Sequence, residues 1–223
     1  MEDRLSEIAR LVERRRRAPY VGYNCIGDYH GGIFECDYVS PYSKSAHNLD
    51  ARVMVFLQDW SSDDRLQRAP DPEIVRLGLT PDLPTNWNLV GLLRTHLGLE
   101  LRDTYSTNLF PFIKRGNLSS RIPRADLARA AEEFALPQVG AVRPQLAICL
   151  GLATFNALRA AAGHPPAPTV ASALRWAFRI GPTQVVFQAH TGNLGRNNRN
   201  RGGIDRVSAD WSAMRMLLGA ADV

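Results

Sequence analysis

RVMVFLQDWSSDD, residues 52–64, is the stretch whose reading decides the fold. Val53 to Leu57 is an unbroken apolar run rich in β-branched residues, the pattern of a parallel strand buried on both faces. The run stops abruptly at Gln58, Asp59, Trp60 and two serines. In open α/β sheets the chemistry collects beyond the carboxyl ends of the strands, which makes Asp59 the first candidate functional residue.

Three later stretches repeat this grammar. Strands are predicted at 104–109, ending in TNLFPF, at 145–151 (QLAICLG) and at 183–190 (TQVVFQAH). Helical periodicity marks 3–16, about 87–98 with Gly98 as its stop, about 124–140, the segment ATFNALRAAAG, and about 205–219. Residues 18–50 read as an irregular segment wrapping the core, and 70–85 as a polar connection studded with prolines. TGNLGRNNRNRGG, residues 191–203, reads as a loop. Strand alternating with helix predicts one α/β domain over 1–223, a three-layer α/β/α sandwich around a mainly parallel four-stranded sheet. Residues 1–35 form its basic helix and wrapping loop, and 36–223 its core.

Composition narrows the class. A hydrophobic fraction of 45% with 22% charged residues is that of an ordinary globular chain. No apolar run reaches the roughly 18 residues of a membrane span. The opening MEDRLSEIARLVERRRRAP lacks the pattern of a signal peptide. Three widely spaced cysteines (Cys25, Cys36, Cys149) point to reduced thiols and a cytoplasmic setting rather than a disulfide frame. Net charge is +5, and arginines cluster at 14–17, beside Lys114 at Arg115, and at Arg196, Arg199, Arg201 and Arg206. Such clusters suit a polyanion, nucleic acid before membrane, or a solvated surface.

The strand ends deliver three polar side chains of different chemistry: Asp59 from the first, Asn108 from the second and His190 from the fourth. A carboxylate can orient water, with Gln58 beside it in support. An amide can donate and accept at once, as base reading requires, and an imidazole can stabilise a departing anion. The third strand ends in Gly151, where the next helix begins and could offer free N–H groups to an anion.

Together these motifs resemble the uracil-DNA glycosylase superfamily, over roughly residues 36–195. VMVFLQDW resembles its first motif, with Asp59 at the position of the water-activating aspartate. TNLFPF resembles the base-reading strand, with Asn108 at the asparagine. LAICLGLATFNAL resembles the strand, Leu-Gly and helix segment. QAHTGNL resembles the last motif, with His190 at the leaving-base histidine and Leu194 at the residue that wedges into the duplex. The resemblance implies a DNA glycosylase that flips a nucleotide and hydrolyses its N-glycosidic bond. It implies that Trp60, Ser61 and Trp87 contact the base. Lys114, Arg115, Arg196, Arg199 and Arg201 would hold phosphates. Such an enzyme acts as a monomer by default.

The departures matter as much. Uracil-specific members carry Pro-Tyr-His after the aspartate, where the tyrosine excludes substituents at C5. Here Ser61 stands at the tyrosine's place, which leaves room for a C5-modified pyrimidine and for a role against modified phage DNA. Thr191 and Gly192 replace the usual Pro-Ser. Neither a zinc spacing nor the four cysteines of an iron–sulfur cluster is present, so no cofactor is expected. No lysine is placed to form a Schiff base at the strand ends, so strand-nicking chemistry is not expected. Two other readings are a DNA-binding protein of the same fold without catalysis, and a small-molecule α/β hydrolase or transferase. For the second, GLATFN is neither a nucleophile elbow nor a phosphate loop.

Overall fold

The apolar run at 53–57 forms the first strand, and its alternate side chains enter two different hydrophobic clusters. In the computed structural model, which describes residues 2–17 and 19–219, five strands form one sheet in the order β2-β1-β3-β5-β4. They are β1 (Val53–Asp59), β2 (Tyr105–Phe110), β3 (Leu146–Leu150), β4 (Phe178–Ile180) and β5 (Thr183–Gln188). The β1–β2, β1–β3 and β3–β5 pairs are parallel, and β4 runs antiparallel to β5. The four-strand expectation is therefore corrected to five. The additional strand is a three-residue edge, FRI, hidden in the sequence by its shortness and its central arginine. Gly181, at φ 55°, turns β4 back into β5.

Ten α-helices complete the described chain: α1 (Glu2–Arg17), α2 (Asp63–Leu66), α3 (Pro72–Leu77), α4 (Pro84–Leu92), α5 (Arg124–Ala130), α6 (Leu136–Val142), α7 (Leu152–Ala161), α8 (Val170–Arg175), α9 (Asn193–Arg199) and α10 (Arg206–Gly219). Met54, Phe56, Ala147, Cys149, Val185 and Phe187 share a cluster with Ile8 and Leu11 of α1, Leu127 of α5 and Phe155 of α7. Val53, Val55, Leu57, Ile148, Leu150 and Val186 join Leu89 of α4 and Trp211 and Met214 of α10 in the other. Period-two alternation thus sends each strand's side chains to opposite faces, and helices cover both. Trp211 is fully buried, and truncating it to alanine would cost about 3–5 kcal/mol.

The single helix expected over 124–140 is α5 and α6 joined by a π-helical turn, Ala131–Ala135. Pro137 supplies the reason, since it has no N–H for the preceding turn and its ring crowds the carbonyl four residues back. The irregular segment over 18–50 carries three short 3₁₀ turns, Ile26–Asp28, His30–Gly32 and Pro41–Ser45. The loop expected over 191–203 is in part a helix, α9. No helix of the described residues is long and apolar enough to cross a membrane.

The arginine run closes α1 from within. Arg15 is buried, bonding to Glu35 and donating to the carbonyls of Cys36 and Tyr38. Arg14 meets Glu133 at 3.0 Å, Arg16 meets Asp37 at 2.8 Å, and Arg17 meets Glu13 at 3.2 Å. Arg14, Arg15 and Arg16 thus staple α1 to the wrapping segment and to the π-helical turn before α6, while Arg17 pairs within α1 itself.

Candidate active site

A cavity of about 790 Å³ opens beyond the carboxyl ends of β1, β2 and β5. Parallel register aligns Leu57 with Asn108 and Asp59 with Phe110, so the two strands deliver their polar residues to one edge. Gln58, Asp59, Trp60, Ser61, Asn108 and His190 all line the cavity.

Asp59 is held at both carboxylate oxygens. Gln58 Nε2 donates to Oδ1 at 2.9 Å, and Lys114 Nζ stands 2.8 Å from Oδ2. The side chains of Lys114 and Asp59 are only 4% and 11% exposed. This corrects one expectation: Lys114 is no surface phosphate contact. It follows β2 in the chain, so spacing alone hid its approach to β1. Its Nζ also donates to the Leu118 carbonyl at 2.6 Å, behind Asp59 rather than among the groups that line the cavity. A pair this dry is sensitive, because removing one partner leaves the other charge buried and uncompensated.

His190 follows β5, and the N–H of Gly192 donates to its Nδ1 at 3.1 Å. A backbone N–H can only donate, so Nδ1 is the acceptor and the ring proton sits on Nε2. Burial pushes the imidazole below its usual pKa, while the nearby Asp59 charge pulls the other way. The result is a neutral ring whose Nε2–H is a hydrogen-bond donor.

The loop that fixes this ring is itself pinned. Thr191 Oγ1 donates to the Thr85 carbonyl at 2.7 Å, and Asn88 Nδ2 donates to the Thr191 carbonyl at 2.9 Å. A Cβ at Gly195 would lie 2.2 Å from the His190 carbonyl oxygen, so only glycine lets α9 pack this closely.

Asn108 is 1% exposed, and its Oδ1 accepts from Ser40 Oγ at 2.5 Å. Among the described residues its Nδ2 has no partner. Trp60 donates its indole N–H to the Gly78 carbonyl at 2.7 Å and packs edge-on against Phe34, centroids 5.5 Å apart. Gly78 in turn sits on the Pro41 carbonyl, where a Cβ would come within 1.7 Å. Phe34 and Tyr42 complete the aromatic lining.

The structure does not bring every expected residue together. Trp87 is 60% exposed on the first turn of α4 and lies outside the cavity lining. Gly151 lies outside it too, packed behind His190. Leu194 is 77% exposed on α9, beside the His190 loop. Arg196 bonds to Asn88, and Arg199 forms a two-pronged pair with Asp210 at 2.6 and 2.8 Å. Arg201 and Arg115 are exposed. Sequence reasoning missed Ser40, Tyr42 and Phe34, and it gave Lys114 a different role. The first three fall in the irregular segment, where only the cluster of aromatic and hydroxyl residues was a signal.

Among the described residues no group of three or more His, Cys, Asp or Glu side chains is placed to hold a metal ion. No protein-family model matches the chain, and no curated protein matches it in sequence.

Proposed function

We propose that the chain is a DNA glycosylase of the uracil-DNA glycosylase superfamily, which hydrolyses the N-glycosidic bond of a flipped nucleotide and leaves an abasic site. The observation that carries this reading is the cavity in which Asp59, Asn108 and a neutral His190 meet. A sheet with helices against both faces also fits the three-layer organisation of that superfamily.

The chemistry follows from the placement. As the bond from C1′ to the base nitrogen breaks, its electron pair leaves with the base and the sugar gains oxocarbenium character. The Nε2–H of His190 is a ready donor to the departing anion, and it carries no positive charge that would have to be desolvated. The Asp59 carboxylate faces the developing cation and orients the water that adds to C1′. The water's proton passes to Asp59 and then to solvent or base. Asn108 reads the base edge, and Leu194 fills the gap in the stack. Exposed Arg115 and Arg201 meet phosphates, whereas Arg196 and Arg199 act by holding α9 in place.

The substrate class we assign is a pyrimidine larger than uracil at C5. Ser61, buried at the cavity wall, replaces a blocking ring, and about 790 Å³ is the size of a pocket for a ligand much bigger than one pyrimidine. Destruction of modified phage DNA is the biological task this suits, in the cytoplasm.

The test incubates the protein with duplexes carrying uracil, thymine mismatches, or hydroxymethylated and glucosylated cytosine, then treats them with alkali. Strand breaks at modified bases support the reading, and breaks at uracil alone remove the C5 assignment. Bound but intact DNA in every lane overturns catalysis in favour of a binding protein.

A further inference from the structure

Ser40 lies in the irregular segment that precedes β1, 68 residues from Asn108 in sequence, and it is fully buried. Its hydroxyl oxygen accepts the N–H of Tyr42 at 3.2 Å, closing the first turn of the 3₁₀ segment Pro41–Ser45. The same hydroxyl donates its proton to Asn108 Oδ1, 2.5 Å away. A carboxamide that accepts at one end must show its NH₂ at the other. Nδ2 of Asn108 is accordingly the end left without a partner, and the Tyr42 hydroxyl is a second buried polar atom without one. Both residues line the cavity.

Buried polar atoms left unpaired are costly, and a ligand in the cavity that both residues line would satisfy them. The segment carrying them is held tightly. Ser43 Oγ donates to the Ser106 carbonyl at 2.9 Å, Ser45 Oγ donates to the Leu77 carbonyl at 2.6 Å, and the Ser106 N–H donates to the Ala46 carbonyl at 2.9 Å. The Ser40 hydroxyl is therefore placed by backbone fixed to β2 and cannot drift with the ligand.

We propose that Ser40 is a specificity-determining residue that locks the Asn108 amide with Nδ2 toward the ligand, so that this wall selects a base presenting a hydrogen-bond acceptor there, with the Tyr42 hydroxyl as a second contact. This rests on the glycosylase reading for the identity of the ligand as a base. Ser40 touches no reacting atom and acts through Asn108. An amide free to turn can serve a carbonyl or an amino group equally, whereas a locked one distinguishes them.

The experiment compares excision of 5-hydroxymethyluracil and 5-hydroxymethylcytosine from otherwise identical duplexes. These bases differ in their donor and acceptor pattern at the 3 and 4 positions and nowhere else. The wild type is expected to favour one member at least tenfold in kcat/KM, and the favoured member identifies the atom that meets Nδ2. Ser40→Ala, with Ser40→Thr as the variant that keeps the hydroxyl, is expected to bring the ratio below threefold by gaining the disfavoured base, while Ser40→Thr keeps it. Tyr42→Phe removes an atom that holds nothing within the protein, and it is expected to lower kcat/KM about fivefold to tenfold. A wild-type ratio below threefold overturns the proposal, as does an unchanged ratio in a folded Ser40→Ala protein.

If no base is released from any duplex, the glycosylase reading fails by itself. Binding of free uracil and cytosine, followed by ligand-observed NMR, then decides the lock. Discrimination that depends on Ser40 upholds it, and equal binding or none overturns it.

Discussion

The arginine run of α1 and the cavity at the strand ends put buried polarity to opposite uses. At α1 the charge is closed, because Arg14, Arg15, Arg16 and Arg17 each meet a carboxylate and Arg15 also satisfies two backbone carbonyls, with only its Nε buried and unpaired among the described residues. At the cavity polarity is left open. Asn108 Nδ2 and the Tyr42 hydroxyl are unpartnered, and the Nε2–H of His190 is a donor in the cavity wall. The lesson concerns what a sequence cluster means. Four consecutive arginines look like a polyanion site, yet three of them act as a staple, whereas the cavity-lining groups are single residues from distant segments.

The strongest way to break this contrast is at Asp59. Asp59→Asn strands the buried Lys114 ammonium and should cost about 3–5 kcal/mol of stability, while the folded protein keeps its DNA affinity and base release falls about 10²- to 10⁴-fold, measured in single-turnover assays. Equal loss of binding would make Asp59 part of a staple as well.

Next comes Lys114, the one place where the cavity itself is closed like α1. Lys114→Met should leave a carboxylate buried without its cation and cost about 3–5 kcal/mol, read by denaturant unfolding. A loss similar to that at an exposed pair would mean that water reaches Asp59. Gly195→Ala tests the other wall. Its Cβ cannot coexist with the His190 carbonyl at 2.2 Å, so α9 must move. Catalysis should then fall at least tenfold, a loss of about 1.4 kcal/mol, while unfolding changes less.

The acid response sharpens the comparison further. Burial lowers the pKa of both His190 and His47. A lowered value means that the unfolded chain binds protons first, so stability is full above about 6.5, the ordinary histidine value, and declines as pH falls below it. His190→Gln should flatten that decline between pH 6.5 and 5, seen as a smaller drop in Tm. The smallest effect belongs to α1's outer turn. Arg17 is 79% exposed in its pair with Glu13, and Arg17→Ala should change stability by less than about 0.5 kcal/mol.

What the sequence showed plainly was whatever repeats with a period. The apolar runs at 53–57, 146–150 and 183–188 each became a parallel strand, and Asp59 at the end of β1, Asn108 on β2 and His190 just past β5 line one cavity. The misses share a cause, which is tertiary contact overriding local pattern. α9 carries one Gly and three Asn among its seven residues, poor helix formers all, yet it forms because Arg196 is held by Asn88 and Arg199 by Asp210. β4 is three residues long and exists only beside β5. Lys114 and Ser40 are ordinary residues of irregular segments, and only the folded backbone brings them to Asp59 and Asn108. Trp87 followed the opposite path, from an expected contact with the base to an exposed position on α4.

The most direct test of the account is the fate of the bond it says is broken. Duplex DNA carrying a C5-modified pyrimidine would be incubated with the protein in ¹⁸O-water, and the products read by mass spectrometry. The account predicts an intact free base, one ¹⁸O at C1′ of the abasic sugar, and neither product with Asp59→Asn. An intact duplex, or a base released still attached to its sugar, would contradict it.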